Sequence, residues 1–408
     1  MRPILSVQLS VLFLSGAACA APLSTARPTA ELRVFTLRAE ALQQARERID
    51  AGDPSLQPAL DRLVEEAEDA LRAGPFSVMA KDRLPPSGDK HDYMSFGPYW
   101  WPDPSKPDGL PYIRRDGERN PESLTGSDRE PLGRMIGAVT TLGLAYHFTD
   151  DERYASHAAT LLRTWFVDPA SRMNPHLEYG QAIPGVTEGR GIGIIDTGGL
   201  SQVVDAIGML RRSPSWRDAD QHSLEQWFAA YLDWLRTSEK GREERDWHNN
   251  HGTWWDVQAV SFALFVGDTA AAREILIGTR ERIGAHIMPD GSQPHELERT
   301  RSLSYSAFNL DAFTRLAELA RHVGEDLWRY RTAEGASIRG ALDYLAPYAG
   351  GGRGWPHPQI TAIEADSREV GAGDLFVALN SGTRYVDEAR SRGAATLVPG
   401  DQEAALAA

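Results

Sequence analysis

Cysteine is nearly missing from this chain: among 408 residues there is one, Cys19. It falls in the expected leader, so the mature chain offers no disulfide, no thiol nucleophile and no thiolate metal site. Basic residues are the minority, 43 Lys and Arg against 57 Asp and Glu, for a formal charge of −14. A nucleic-acid partner is not expected, because such proteins advertise a basic surface. No apolar run is long enough to span a bilayer. No alternating strand pattern rivals the helical ones, and no repeat of fixed period marks a regular solenoid. The His-Glu-x-x-His sequence of many zinc enzymes is also missing, and neither a catalytic metal nor a cofactor is expected.

What is present starts with Arg2, a short apolar run from Ile4 to Leu14, and the small-x-small signal Ala18-Cys19-Ala20. Residues 1–20 read as a cleavable signal peptide, which implies a periplasmic or secreted protein with no membrane attachment after cleavage. A lipoprotein signal at Cys19 is the alternative, but Gly16 stands where an aliphatic residue is wanted. Residues 21–408 are long enough to bury a large core, and no linker demands a split. A single domain, expected to be monomeric, follows.

Helical periodicity dominates. Leu32 to Ile49 pairs with Leu56 to Leu71, Pro131 to Phe148 with Tyr154 to Phe166, and Gly199 to Leu210 with Leu224 to Leu235. Trp254 to Phe265 pairs with Ala270 to Ile283, and Ser306 to Val323 with Leu327 to Leu345. Apolar residues recur at three-to-four spacing, and turn residues separate the runs. Helix hairpins of this kind close into an all-α (α/α) toroid. Two long connections, roughly 75–127 and 167–197, interrupt them, and insertions of that length usually carry function. They are expected to form a substrate cleft on one rim, with 350–408 covering one end.

Four segments hold the chemistry. In the first connection, Tyr99, Trp100 and Trp101 sit among prolines that forbid a regular helix. Flat rings there suit the C–H face of a sugar, or they pin the loop to the helices beneath. The second connection offers His176, Tyr179, Gln181 and Arg190 as substrate contacts. Its glycine cluster, Gly189-Arg-Gly-Ile-Gly193, looks like part of a dinucleotide fingerprint but lacks a preceding strand or βαβ unit. The third runs from Asp246 to Asp256. His248 and His251 have a spacing that could share a metal, whereas Asn249, Asn250 and His251 beside Trp254 suit polar groups presented at a helix start. The fourth contains Glu296, Glu298, Arg299, Arg301 and Tyr305. Six residues apart on one helix, Arg299 and Tyr305 would point roughly 120° apart, so if both face the cleft Arg299 must lie before the helix or at its first bent turn. Arg301, four before Tyr305, is the rival.

An amide, imidazoles, guanidiniums and a phenol suit one reaction in particular. They can hold a uronate carboxylate neutral while a proton leaves the neighbouring C5. Tyrosine ordinarily has a pKa of about 10, and a nearby cation, Arg299 or a charged His251, would favour its phenolate. In β-mannuronate and β-glucuronate the C5 hydrogen and the C4 oxygen lie on the same face, so one tyrosine can be base and then acid. In guluronate they lie on opposite faces and two groups are wanted. Cationic residues gathered in one cleft, from among Arg114, Arg115, Arg119, Arg129, Arg190, Arg299, Arg301 and Arg353, would let an acidic chain bind an acidic polysaccharide.

Tyr93–Pro104, Asn174–Pro184 with Gly189–Asp196, Asn249–Trp254 and Gln293–Leu310 resemble the alginate lyase superfamily of helical-toroid enzymes, and within it polysaccharide lyase family 38. The resemblance spans roughly residues 75–360. It implies Tyr305 as base and acid, carboxylate neutralisation by Asn250, His251 and Arg299, and mannuronate-rich alginate or glucuronan as substrate. Gln181 and Arg190 match motif positions without a settled role. Two other readings compete. A hydrolase on a similar toroid would need two well-placed acids from Asp196, Asp256, Glu296 and Glu298. A polyuronate-binding protein would show affinity without turnover.

Overall fold

The computed structural model describes residues 32–351 and 354–357, with two short strands at 376–377 and 396–397. The expected signal peptide, Cys19, Arg353 and most of the 350–408 segment lie outside the described residues.

Twelve α-helices form among the described residues: α1 (Ala39–Asp50), α2 (Gln57–Ala70), α3 (Arg129–Thr149), α4 (Glu152–Leu162), α5 (Leu200–Leu210), α6 (Asp218–Thr237), α7 (Glu239–Arg245), α8 (Asn250–Val266), α9 (Thr269–His286), α10 (Pro294–Leu297), α11 (Ser302–Ala320) and α12 (Ile338–Leu345). The helices α3, α5, α8 and α11 pack in sequence, each against the next. A second layer backs them: α2 and α4 lie on α3, α6 and α9 on α8, and α12 on α11. This is the (α/α) toroid arrangement. Burial follows sequence. Nearly all of α5 and α8 is apolar or small and lies inside, whereas α1 has no buried residue. An apolar stripe suffices for an outer helix, but a helix covered on both sides must be apolar all round. The hairpins end where the sequence provides stops. Gly267 takes a φ of 85° after α8, and Asp268 then caps α9 by accepting from Ala271 N at 2.9 Å.

Three stretches depart from the periodicity. Leu32 to Arg38 is not helical, because buried Asp205 on α5 accepts from the backbone N–H groups of Phe35, Thr36 and Leu37 and so holds a bend there. Residues 327–337 are irregular, and helix resumes only where Ser337 caps Gly340 N at 3.0 Å. In contrast, α7 is helical despite a polar sequence without periodic apolar residues; Ser238 caps it and Arg242 and Arg245 suit its C-terminal dipole. No helix of the described residues is long and apolar enough to cross a membrane.

Strands are minor but decisive for the rim. β1 (Met94–Phe96) and β4 (Tyr179–Ala182) pair in parallel, Met94 with Tyr179 and Phe96 with Ala182, which ties the two long connections together. β2 (Trp100–Trp101) and β3 (Ile113–Arg114) form a small antiparallel ribbon within the first connection. The glycine cluster serves this junction. A Cβ on Gly193 would lie 2.4 Å from the Gly180 carbonyl oxygen, so only glycine permits the approach.

Candidate active site

Tyr305 stands in the first turn of α11, and Arg299 lies in the link between α10 and α11. The link lets Arg299 escape the 120° separation of a continuous helix. Its guanidinium carbon lies 3.8 Å from the centre of the Tyr305 ring, and its Nη2 is 3.0 Å from Asp116. Arg301, by contrast, is the exposed N-cap residue of α11. The Tyr305 hydroxyl is 2.8 Å from that of Tyr99, so the first connection reaches the centre of the site. Burial raises the Tyr305 phenol above its ordinary pKa, while Arg299 pulls the other way. The sequence led us to expect a lowered value; the favourable cation is there, but desolvation outweighs it.

The start of α8 carries the second half. Asn249 is its N-cap, its Oδ1 accepting from His251 N at 3.2 Å. Asn250 donates to Glu296 twice, from its backbone N at 2.6 Å and from Nδ2 at 2.8 Å. Burial raises the Glu296 carboxyl, opposed by Asn250, Arg299 and His251, so that one acid links all three groups. His251 places Nδ1 3.0 Å from Glu244, a carboxyl that burial raises and His251 lowers. That contact fixes the ring, and Nε2 makes no hydrogen bond among the described residues. His248 instead stacks on Trp247 and lies 5.0 Å, centre to centre, from His295. Among the described residues no three of His, Cys, Asp and Glu converge as a metal site would require.

At the rim, Asp196 is a hub. Its carboxylate accepts from Ser95 Oγ at 2.6 Å, Gln181 Nε2 at 2.9 Å and Tyr93 OH at 3.2 Å, and Arg129 Nη1 lies 3.4 Å away. Gln181 is held at a φ of 48°, a conformation L residues seldom adopt, by bonds at both ends of its side chain. Its Oε1 accepts from Arg190 Nη2 at 2.8 Å and its N donates to Ser95 Oγ at 2.8 Å. Burial brings Arg190 down to about 10, against the pull of Asp196. The Asp196 charge instead raises Arg129, helped by Tyr93 and Tyr99 and opposed by burial.

The expected substrate contacts divide accordingly. Tyr99, Trp100, Trp101, Tyr179, Arg190 and His176 are half-buried at the rim. Trp100 faces Arg190, and Trp101 lies under Arg115 with its Nε1 on the Glu118 carbonyl. His176 is committed to Asp92 at 2.9 Å. Three of the expected contacts are buried. Gln181 is buried with both ends of its amide engaged, and Asn249 is buried as a helix cap. Trp254 is 5% exposed because Phe308 is stacked over it, at 4.9 Å and 27°. The sequence reading also missed Asp116, Glu244 and Phe308. The two acids are far in sequence from, or across a helix break from, the groups they orient. Phe308 follows Tyr305 by three, a spacing that shares a helix face and was legible.

A family model described as alginate lyase matches residues 77–355. An alginate lyase crystal structure from Bacteroides ovatus is 43% identical, covering 82% of this chain and 88% of that one, with a TM-score of 0.79. Alginate lyase A1-III from Sphingomonas species A1 is 18% identical over 75% of each chain, TM-score 0.50. A form of A1-III complexed with a tetrasaccharide is 17% identical over 78% of each chain, TM-score 0.51. The A1-III likeness bears on the fold. No curated protein sequence matches the chain. With the family model spanning most of the chain and a relative this similar along nearly its full length, the protein belongs to the alginate lyase family of polysaccharide lyases.

Proposed function

We propose that the protein cleaves 4-linked polyuronates, the mannuronate blocks of alginate or poly-β-D-glucuronate, by syn β-elimination at Tyr305. The observation that carries this reading is the Arg299 guanidinium 3.8 Å from the Tyr305 ring, with the phenol oxygen 2.8 Å from Tyr99. A bound uronate carboxylate is neutralised by Arg299, by the second amide proton of Asn250 and by His251 through Nε2. The Tyr305 phenolate takes the C5 proton. The electron pair left on C5 forms the C4–C5 double bond as the C4–O4 bond breaks, and Tyr305 returns its proton to O4. No water is consumed and no other group needs to change its proton count.

The elevated phenol sets a condition on this chemistry. Free enzyme is almost entirely in the neutral phenol form at pH 7, so kcat/KM rises with pH as the phenolate fraction grows. What favours a lyase over a hydrolase is the state of the acids. Asp196 is bonded by the rim, Asp256 is paired with Arg282 at 2.8 Å, and Glu296 holds Asn250. A hydrolase wants two carboxyls facing the sugar bond. The finer placement in polysaccharide lyase family 38, export after removal of residues 1–20, a single domain over 21–408 and a monomeric state belong to the same proposal.

The test uses separate samples of polymannuronate, polyguluronate and polyglucuronate, followed by the ultraviolet absorbance of the new double bond. Absorbance should grow with mannuronate, glucuronate or both, and scarcely with polyguluronate. A strong preference for polyguluronate would overturn the single-tyrosine mechanism.

A further inference from the structure

Phe308 is 39% exposed, unusual for a phenylalanine on a helix whose neighbours Ser306, Asn309 and Leu310 are all buried. It lies three residues after Tyr305 on α11, so the two rings share a face about 4.5 Å apart along the axis. Beneath it, α8 supplies Trp254 in near-parallel stacking at 4.9 Å. The guanidinium carbon of Arg315 lies 5.5 Å from the Trp254 ring and is tethered to Asp311 at 3.0 Å. Trp254 Nε1 has no hydrogen-bond partner among the described residues, so the indole is held by packing. It acts as a firm support for a ring that is open on its other side.

We infer that Phe308, seated on Trp254, is a sugar-stacking subsite that receives the apolar C–H face of a uronate unit of the chain bound at Tyr305. The inference rests on the lyase reading above and extends it. The occupant follows from continuity: a polymer whose C5 reaches Tyr305 has its own ring or the next within reach of a residue one helical turn away. A flat apolar face suits a pyranose C–H face, whereas the carboxylate and hydroxyls of that unit remain outward, towards the polar groups of the cleft. The underlying Trp254 fixes the ring plane, so little side-chain freedom is lost on binding.

The experiment measures steady-state kinetics on polymannuronate for Phe308→Ala, Phe308→Leu and Phe308→Tyr, with Ile277→Ala, an exposed apolar residue of α9, as control. Oligomannuronate affinity is measured in parallel by calorimetry, each Phe308 variant being placed in a Tyr305→Phe background. Phe308→Ala should raise KM and weaken affinity by about threefold to tenfold with kcat changed less than about twofold. Phe308→Leu should fall between, Phe308→Tyr should behave as the parent, and Ile277→Ala should change neither quantity. Because Phe308→Leu keeps Trp254 covered, its result separates stacking from unfolding. Affinity unchanged in both Phe308→Ala and Phe308→Leu overturns the subsite, whatever happens to turnover. If Tyr305→Phe keeps full turnover while Phe308→Ala still loses affinity, the subsite stands and the mechanism at Tyr305 falls.

Discussion

The surroundings of Asp196 and of Tyr305 are built from similar parts, arginine, amide, phenol and carboxylate, but differ in what is left over. Around Asp196, Ser95, Tyr93 and Gln181 all donate to one carboxylate, and Arg190 in turn donates to Gln181. Around Tyr305, Arg299 covers a ring face, Asn250 uses one amide proton on Glu296, and His251 leaves Nε2 open. The first arrangement fixes the backbone that joins two long connections. The second keeps donors and a phenol available to a ligand. Buried polar groups are costly unless paired, so the open donors at Tyr305 mark the place where a substrate completes the pairing.

Substitutions should therefore separate the two regions by their effect on kcat. The largest effect on turnover short of changing Tyr305 is expected from His251→Ala, a loss of about a hundredfold or more in kcat, with urea stability lowered as well because buried Glu244 loses its partner. Arg299→Gln removes the cation that opposes burial of the phenol. The Tyr305 pKa then rises further, and the rise of kcat/KM with pH moves upward by about one unit or more, as a pH–rate profile would show. A profile that moved down, or stayed in place, would detach Arg299 from Tyr305. Gln181→Ala should weigh on stability more than on turnover. It strips partners from Asp196 and Arg190 and costs about 1–3 kcal/mol in a urea titration, with kcat lowered less than by His251→Ala.

Much of this was legible in the sequence. The paired apolar periodicities give the toroid, and the Arg299–Tyr305 spacing already required a break between them, which the link from Leu297 to Ser302 supplies. Periodicity failed where hydrogen bonds from a distant residue override it, at Leu32 to Arg38 under Asp205, and where helix forms without an apolar stripe, at α7. The structure brings Tyr305, Arg299, Asn250 and His251 to the starts of α8 and α11. What stayed hidden were carboxylates acting at long range: Asp116 is 183 residues from Arg299, and no spacing rule connects them. Gln181 illustrates a different limit. Its residue type suggested a ligand contact, but its positive φ and the two bonds of its amide to Asp196 and Arg190 carry no sequence signature.

The central claim is that the Tyr305 hydroxyl moves the proton. Tyr305→Phe keeps the ring under Arg299 and removes only that oxygen. Assayed by ultraviolet absorbance on polymannuronate, it should lose turnover by at least about a thousandfold while still binding oligomannuronate with near-parent affinity. Turnover within tenfold of the parent would contradict the account and move the base to another residue.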